Sequence, residues 1–554
     1  MASQNSLAAE SPAAATASAS APAAAEPTPR PNPNNTPSNR QENGYWYDSF
    51  PSYNTALARN FNGLFAVAGT SAAGGKSGGA RALGPDLLRG LLMMLMAFDH
   101  AALALHTWLH GTGRVSEADG QIVKEWNYTT AYIVRTLTHL CAPGFTFLLG
   151  MGVVYLGRSR TKLGWGPMRL ARYFAERCAV LTIVNTAMGF LMSAGRVWFM
   201  NIVLFSLAVD YLLAGLLWLV INTTEGMLTR LIAKARKTWQ NRSTDDESSD
   251  DNDEESVTQP LLHEREAINR EASTGSYDAY LSWTTHNFLL LALGLVAIFW
   301  NIWLSDDGGS CRPAVSASTK SPSSPLLRIW FWVLMEPGSH VLSGFPPMAW
   351  LSFAIFGILY GRIVTARSWS RQASVLGHSF AGICFSILFV LTRVLRFGNL
   401  SEGCLQTPDQ EARPNQNPYL ASPRSFFYVV KYPPDVAFFA FTMAGNLFLL
   451  AVFTAAPPRI AKRFTMLLDF GTSALFFYVV HLATLFGLGM IAVALFGHDT
   501  GIPDPMNRGN TKGIDNLFGY FGFWALVMLL LWPVCRWYSR FKSGKPADSI
   551  WRFF

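Results

Sequence analysis

The sequence predicts an all-α fold, a polytopic transmembrane helix bundle of about ten spans, and three observations predict it. Half of the 554 residues are hydrophobic and only 14% are charged, against about a quarter in a soluble domain. The charges crowd into short segments separated by apolar runs of about 20 residues, the length that crosses a ~30 Å hydrocarbon core as a helix. Lys and Arg gather at alternate ends of those runs, as the positive-inside rule requires. The net charge of +8 and the isoelectric point near 9.1 therefore follow from membrane topology, and a nucleic-acid partner is excluded.

Residues 1–80 are rich in Ala, Ser, Pro, Asn and Gly, a composition that buries no core and predicts a disordered N-terminal tail. The tail has neither the charged start nor the apolar stretch of a signal peptide, and its first arginine is Arg30, which disfavours a transit peptide. The folded part is expected over 81–540, followed by a short cytoplasmic tail over 541–554.

The spans fall at roughly 87–107, 131–156, 173–194, 198–221, 284–304, 345–364, 376–397, 436–456, 469–496 and 516–536. The segment Ile329–Met335 is apolar but too short to cross, and is expected to lie in the interface or to extend the sixth span. Five segments carry the basic residues: Arg158, Arg160, Lys162, Arg169 and Arg172; Arg230, Lys234, Arg236 and Lys237; Arg362, Arg367 and Arg371; Arg459, Lys462 and Arg463; and Arg536, Arg540 and Lys542. All five fall on one side of a ten-span chain, which predicts that both termini are cytoplasmic. The organelle is left open between endomembrane and plasma membrane.

Within the fourth-to-fifth loop, 240–275 is expected to be a disordered acidic segment, since Ser243–Ser256 contains only Ser, Thr, Asp, Glu and Asn. Cys311 and Cys404 fall in polar loops on the non-cytoplasmic side, either bridged or as free thiols. Asn127 and Asn399 begin glycosylation sequons on that side.

The stretch Arg81–His100 carries the first candidate chemistry. Arg89 and His100 are eleven residues apart, about three helical turns, and so share a face. Asp99 and His100 form an acid–imidazole neighbour pair at the outer end of that helix. Ionisable groups in a membrane helix point to function by default. In the second span Arg135 and His139 are i and i+4 on one face, Pro143 is expected to kink the helix just beyond them, and Gly150 and Gly152 to allow close packing. His100 and His139 are expected at similar depth. Asp210, in the fourth span, is expected either to pair with a cation such as Arg135 or Arg393 or to be protonated. His481, with Tyr478 in the ninth span, is a pocket candidate, and Arg393 and Arg396 are expected to reach toward the outer surface.

The first two spans resemble the catalytic-domain family of heparan-alpha-glucosaminide N-acetyltransferase and its multipass membrane relatives. The matching elements are D-L-L-R-G-L with M-x-x-D-H (Asp86, Arg89, Gly90, Met96, Asp99, His100) and R-x-x-T-H-L-C-A-P-x-F-x-F-L-x-G (Arg135, Thr138, His139, Pro143, Phe145, Phe147, Gly150). F-P-P-M-A-W with Gly357 and Gly361, and S-A-L-F-F-Y-V-V-H from Ser473 to His481, resemble later elements in the same order. The resemblance implies acetyl transfer from cytosolic acetyl-CoA, as co-substrate, to an acceptor across the membrane through an essential histidine. It gives weight to His100 and His139 without choosing between them.

The residues then divide into roles. His100 or His139 takes a proton from a hydroxyl or amine, or itself accepts the acyl group. Asp99 orients the ring, and Arg89, Arg135 and His481 are candidates for binding acetyl-CoA or the acceptor. The expected partners are the lipid bilayer and a small-molecule or glycan acceptor, with an oligomer possible and no metal or prosthetic group. The alternatives are a membrane transporter with an Asp210, His481 and Arg135 path, or a non-catalytic membrane protein.

Overall fold

The computed structural model describes residues 83–193, 195–201, 203–247, 260–305, 311, 324–334, 340–503, 510–546 and 549–552. The expected N-terminal tail and the centre of the acidic run, 248–259, lie outside the described residues.

Ten helices are long and apolar enough to cross a membrane. They are α1 (Leu83–Leu105), α2 (Thr129–Lys162), α3 (Pro167–Met192), α4 (Leu204–Glu247), α5 (Pro260–Leu304), α6 (Pro347–Ala366), α7 (Arg371–Val394), α8 (Val436–Ala455), α9 (Ala474–Phe496) and α10 (Leu517–Ser543). Among the described residues, each overlaps most of one of the ten apolar runs. Their outward faces are apolar, with Leu191, Phe380, Met490 and Leu529 all more than half exposed, as a lipid-facing surface demands.

The acidic loop is narrower than the composition suggested. Helix α4 continues to Glu247 and α5 begins at Pro260, so most of 240–275 is helical. The charged residues flanking the run are good helix formers that extend an existing helix without a new nucleus. Ile329 does not extend the sixth span. It sits in a separate short helix, Pro325–Phe331, and Leu334 beyond it exchanges backbone hydrogen bonds with Ser343.

Two spans are interrupted at positions that matter below. Helix α2 breaks after Thr138 and resumes at Cys141. Pro143 has no N–H for the His139 carbonyl four residues earlier, and its ring crowds that oxygen, so the break falls before the proline, at His139–Leu140. The ninth apolar run breaks at Ser473, which separates a short helix, Thr465–Thr472, from α9.

Close packing rests on glycine pairs. A Cβ at Gly150 would overlap the Ala354 carbonyl, and one at Gly357 the Phe147 carbonyl, so the backbones of α2 and α6 touch there. Gly152 meets nothing and takes no part. Gly90 and Gly471 bring α1 and the Thr465–Thr472 helix into the same kind of contact.

The loops joining odd to even spans meet at one face. The α1–α2 loop pairs with the α7–α8 loop through Val123 N to Cys404 O at 2.8 Å and Lys431 N to Glu117 O at 2.9 Å. Strands β1 (Phe199–Asn201) and β2 (Val341–Ser343), from the α3–α4 and α5–α6 loops, pair in parallel. Strands β3 (His498–Pro503) and β4 (Asn510–Gly513) form an antiparallel hairpin between α9 and α10. Cys311 and Cys404 are bridged. This cap covers the ends of α1, α2 and α8, where the polar residues concentrate.

Candidate functional site

Beneath the cap, residues from α1, α2, α8, α9 and two loops form a cluster of polar and ionisable side chains. At its centre is Arg135, 1% exposed. Its Nη1 donates to Asp99 Oδ2 at 2.7 Å, its Nη2 to Glu117 Oε2 at 2.8 Å, and its Nε to Glu117 Oε1 at 3.1 Å. Glu117, fully buried, also accepts the Thr112 backbone N–H at 2.7 Å. Arg135 is the principal cation beside Glu117 and, against the cost of burial, holds its carboxyl well below the usual range. Three groups that would be costly alone in this setting thus satisfy one another.

The second oxygen of Asp99 faces a residue that the sequence motifs did not single out. Asp99 Oδ1 lies 3.4 Å from Nδ1 of His110, in the loop after α1, and the His110 side chain is 31% exposed. Burial, reinforced by the Arg135 charge, pushes the His110 imidazole down to about 4, so it is neutral at physiological pH. Asn127 clamps the backbone on both sides of His110, donating to Leu109 O at 2.9 Å and Gly111 O at 2.6 Å. The Asn127 side chain is therefore buried in structure and unavailable to a glycan.

His100 points elsewhere. Its Nδ1 lies 2.8 Å from Nε2 of His481, and the rings stack. His481 Nδ1 lies 3.0 Å from the Phe477 carbonyl, which accepts only, so that nitrogen carries the proton. Neutral His481 then accepts at Nε2 from the Nδ1–H of His100, and His100 keeps a lone pair on Nε2. His481 is fully buried, whereas His100 is partly exposed.

His139 is fully buried, 3.6 Å from Glu117 Oε1, with its ring edge against Phe438. Neither ring nitrogen has a hydrogen-bond partner among the described residues. His100 pairs with His481, while His139 lies against Glu117 and Phe438. The structure thus brings Asp99, Arg135 and His139 together, places His100 and His481 beside them, and leaves Arg89 at the opposite end of α1. There Arg89 donates to Asp86 at 3.0 Å and to the Gly471 carbonyl at 3.3 Å.

Of the remaining polar residues, the two arginines of the seventh span have structural partners. Arg393 is buried, donating to Asn399 at 2.9 Å and the Tyr428 carbonyl at 2.7 Å, and so does not reach the surface. Arg396 pairs with Glu402. Asp210 is fully buried beside Ser206. Neither Arg135 nor Arg393 pairs with it, so the expected cation partner is absent among the described residues. Glu117, His110 and Lys431 sit in loops without a motif and owe their positions to the cap, which explains why linear spacing missed them.

Chemically, the cluster offers neutral imidazoles, one of them beside a carboxylate that is itself fixed by a guanidinium. That is the arrangement of a positioned general base. No protein-family model matches the chain, and no curated protein matches it significantly.

Proposed function

We propose that the chain is a multipass membrane acyltransferase that moves an acyl group, acetyl in the simplest case, from acyl-CoA to a hydroxyl or amine acceptor. The observation that carries this reading is the Asp99–His110 pair, a partly exposed imidazole 3.4 Å from a buried carboxylate that is anchored by Arg135. The motif resemblance at Asp99–His100 and Arg135–His139 supports the same chemistry.

In this reading His110 accepts the proton of the attacking acceptor and returns it to the departing thiolate sulfur. Asp99 holds the ring and offsets the charge that develops on it, while Arg135 and Glu117 hold Asp99. His139 and the His100–His481 pair line the space around the reacting groups, with the lone pair of His100 Nε2 as a further proton or acyl acceptor. The donors of Arg135 are engaged by carboxylates, so its part is to fix Asp99 and Glu117.

We also assign both termini to the cytoplasm and the cap to the opposite side. The basic loops support the orientation, and a bridged Cys311–Cys404 fits an oxidising compartment. The acceptor would then be acylated on the non-cytoplasmic face.

The test is acyl transfer by purified protein in liposomes, with labelled acetyl-CoA and a mixed pool of sugars and amines. Wild type is expected to label an acceptor. His110→Gln and Asp99→Asn are expected to lose about 10²–10⁴-fold in rate while remaining folded. Well-folded wild type that neither binds nor consumes acetyl-CoA would overturn the reading.

A further inference from the structure

The cluster contains one charged side chain that this scheme does not use. Lys431, in the loop leading into α8, is 7% exposed. Its ammonium lies 5.2 Å from the ring centroid of Phe345 and 5.3 Å from that of Tyr432. Among the described residues it makes no hydrogen bond and no ion pair. Its backbone is nevertheless fixed, with the N–H donating to the Glu117 carbonyl at 2.9 Å. Its charge acts on Asp99, His100, His110, His139 and Cys141, and its backbone bond to Glu117 places it in the same cluster.

A largely buried ammonium without a protein acceptor is costly, and its three donors are left for an oxygen from outside the protein. One account is charge balance. Asp99 and Glu117 bring two negative charges and Arg135 one positive, so Lys431 neutralises the remainder. That account leaves the geometry unexplained, because a balancing lysine gains most by touching a carboxylate, and this one touches none. It lies instead beside the rings of Phe345 and Tyr432.

We propose that Lys431 is the hydrogen-bond donor to the carbonyl oxygen of the acyl group, and that it stabilises the oxyanion formed when the acceptor attacks. The proposal rests on the acyltransferase reading and completes its charge accounting. The acceptor oxygen or nitrogen bonds to the thioester carbon as His110 takes its proton. The carbonyl electron pair moves onto oxygen beside the Lys431 ammonium. Collapse re-forms the carbonyl, breaks the carbon–sulfur bond, and the proton held by His110 passes to sulfur, giving acylated acceptor and free CoA thiol. Such a donor contributes little to ground-state binding and much to the transition state.

Two thioether probes test this without turnover. S-carboxymethyl-CoA places an anionic oxygen pair near the position of the acyl carbonyl, and S-propyl-CoA is a neutral analogue of similar length. Wild-type protein in detergent is expected to bind S-carboxymethyl-CoA on the order of tenfold more tightly than S-propyl-CoA. Lys431→Met is expected to erase that preference, leave S-propyl-CoA binding unchanged, and lower kcat by about 10²–10³-fold at constant KM for acetyl-CoA. Lys431→Arg, which keeps the charge, is expected to retain part of the preference. Retention of the full preference in Lys431→Met overturns the proposal alone. Failure of wild type to bind either probe overturns the acyl-CoA reading and the proposal with it. If Lys431→Met does not fold, wild type still decides, because equal affinity for the two probes excludes an anion-seeking donor.

Discussion

At the scale of single residues, the cluster is organised by Arg135, whose guanidinium joins Asp99 to Glu117. Removing it leaves two buried carboxylates, so Arg135→Met is expected to destabilise the protein by about 3–5 kcal/mol, read as a loss of unfolding temperature in detergent. His110 gives a prediction with a definite sign. The folded protein holds it neutral down to about pH 4, from an ordinary value of 6.5, so between those values the unfolded chain binds more protons. Stability must therefore fall as pH drops from 6.5 toward 4, and His110→Gln should flatten that slope. If His110 is the base, the acid limb of the wild-type rate profile should also lie near 4 and not near 6.5. Asn127 is expected to carry no glycan, so glycosidase treatment should not change the mobility of an Asn399→Gln variant made in a secretory host. Sequence singled out Asp99, Arg135 and His139 because they lie in helices, where spacing fixes direction. It missed His110, Glu117 and Lys431 because a loop side chain takes its direction from tertiary contacts and not from a regular helical spacing.

At the scale of elements, the ten spans were legible because twenty apolar residues in a row have few other uses. Their interruptions were only half legible. Pro143 announced a break in α2, but its effect falls on the carbonyl four residues back, so the discontinuity is at His139 itself, among the site residues. Ser473 carries no comparable signal, and the ninth run reads as one helix although it is two. Packing depends on Gly150 against Gly357, where two backbones meet. Valine at either position has no room and is expected to cost at least about 1–3 kcal/mol. The same change at Gly152, which meets nothing, should cost much less, and comparing unfolding temperatures of the two variants checks it.

At the scale of the whole molecule, the cap is tied by the Cys311–Cys404 bridge across 93 residues of chain. Its loss is expected to destabilise the fold by about 2–5 kcal/mol, measurable as a lower unfolding temperature for Cys311→Ser. Bridged wild type should migrate faster than reduced protein on a non-reducing gel. The order in which the site comes together has a further consequence for biosynthesis. Asp99, Glu117 and Arg135 all lie within α1, α2 and the loop between them, so this hairpin carries the guanidinium that pairs with both of its buried carboxylates before the later spans are made. An isolated ionised group in a nascent membrane helix resists insertion by about 2.5–3.5 kcal/mol, and here the two partners arrive within 36 residues of Asp99. The His100–His481 contact, by contrast, spans 381 residues and forms only after nearly the entire chain has been translated. The hairpin can thus enter the bilayer with both carboxylates already paired to Arg135, and the site is completed only once Lys431 and α9 have been made.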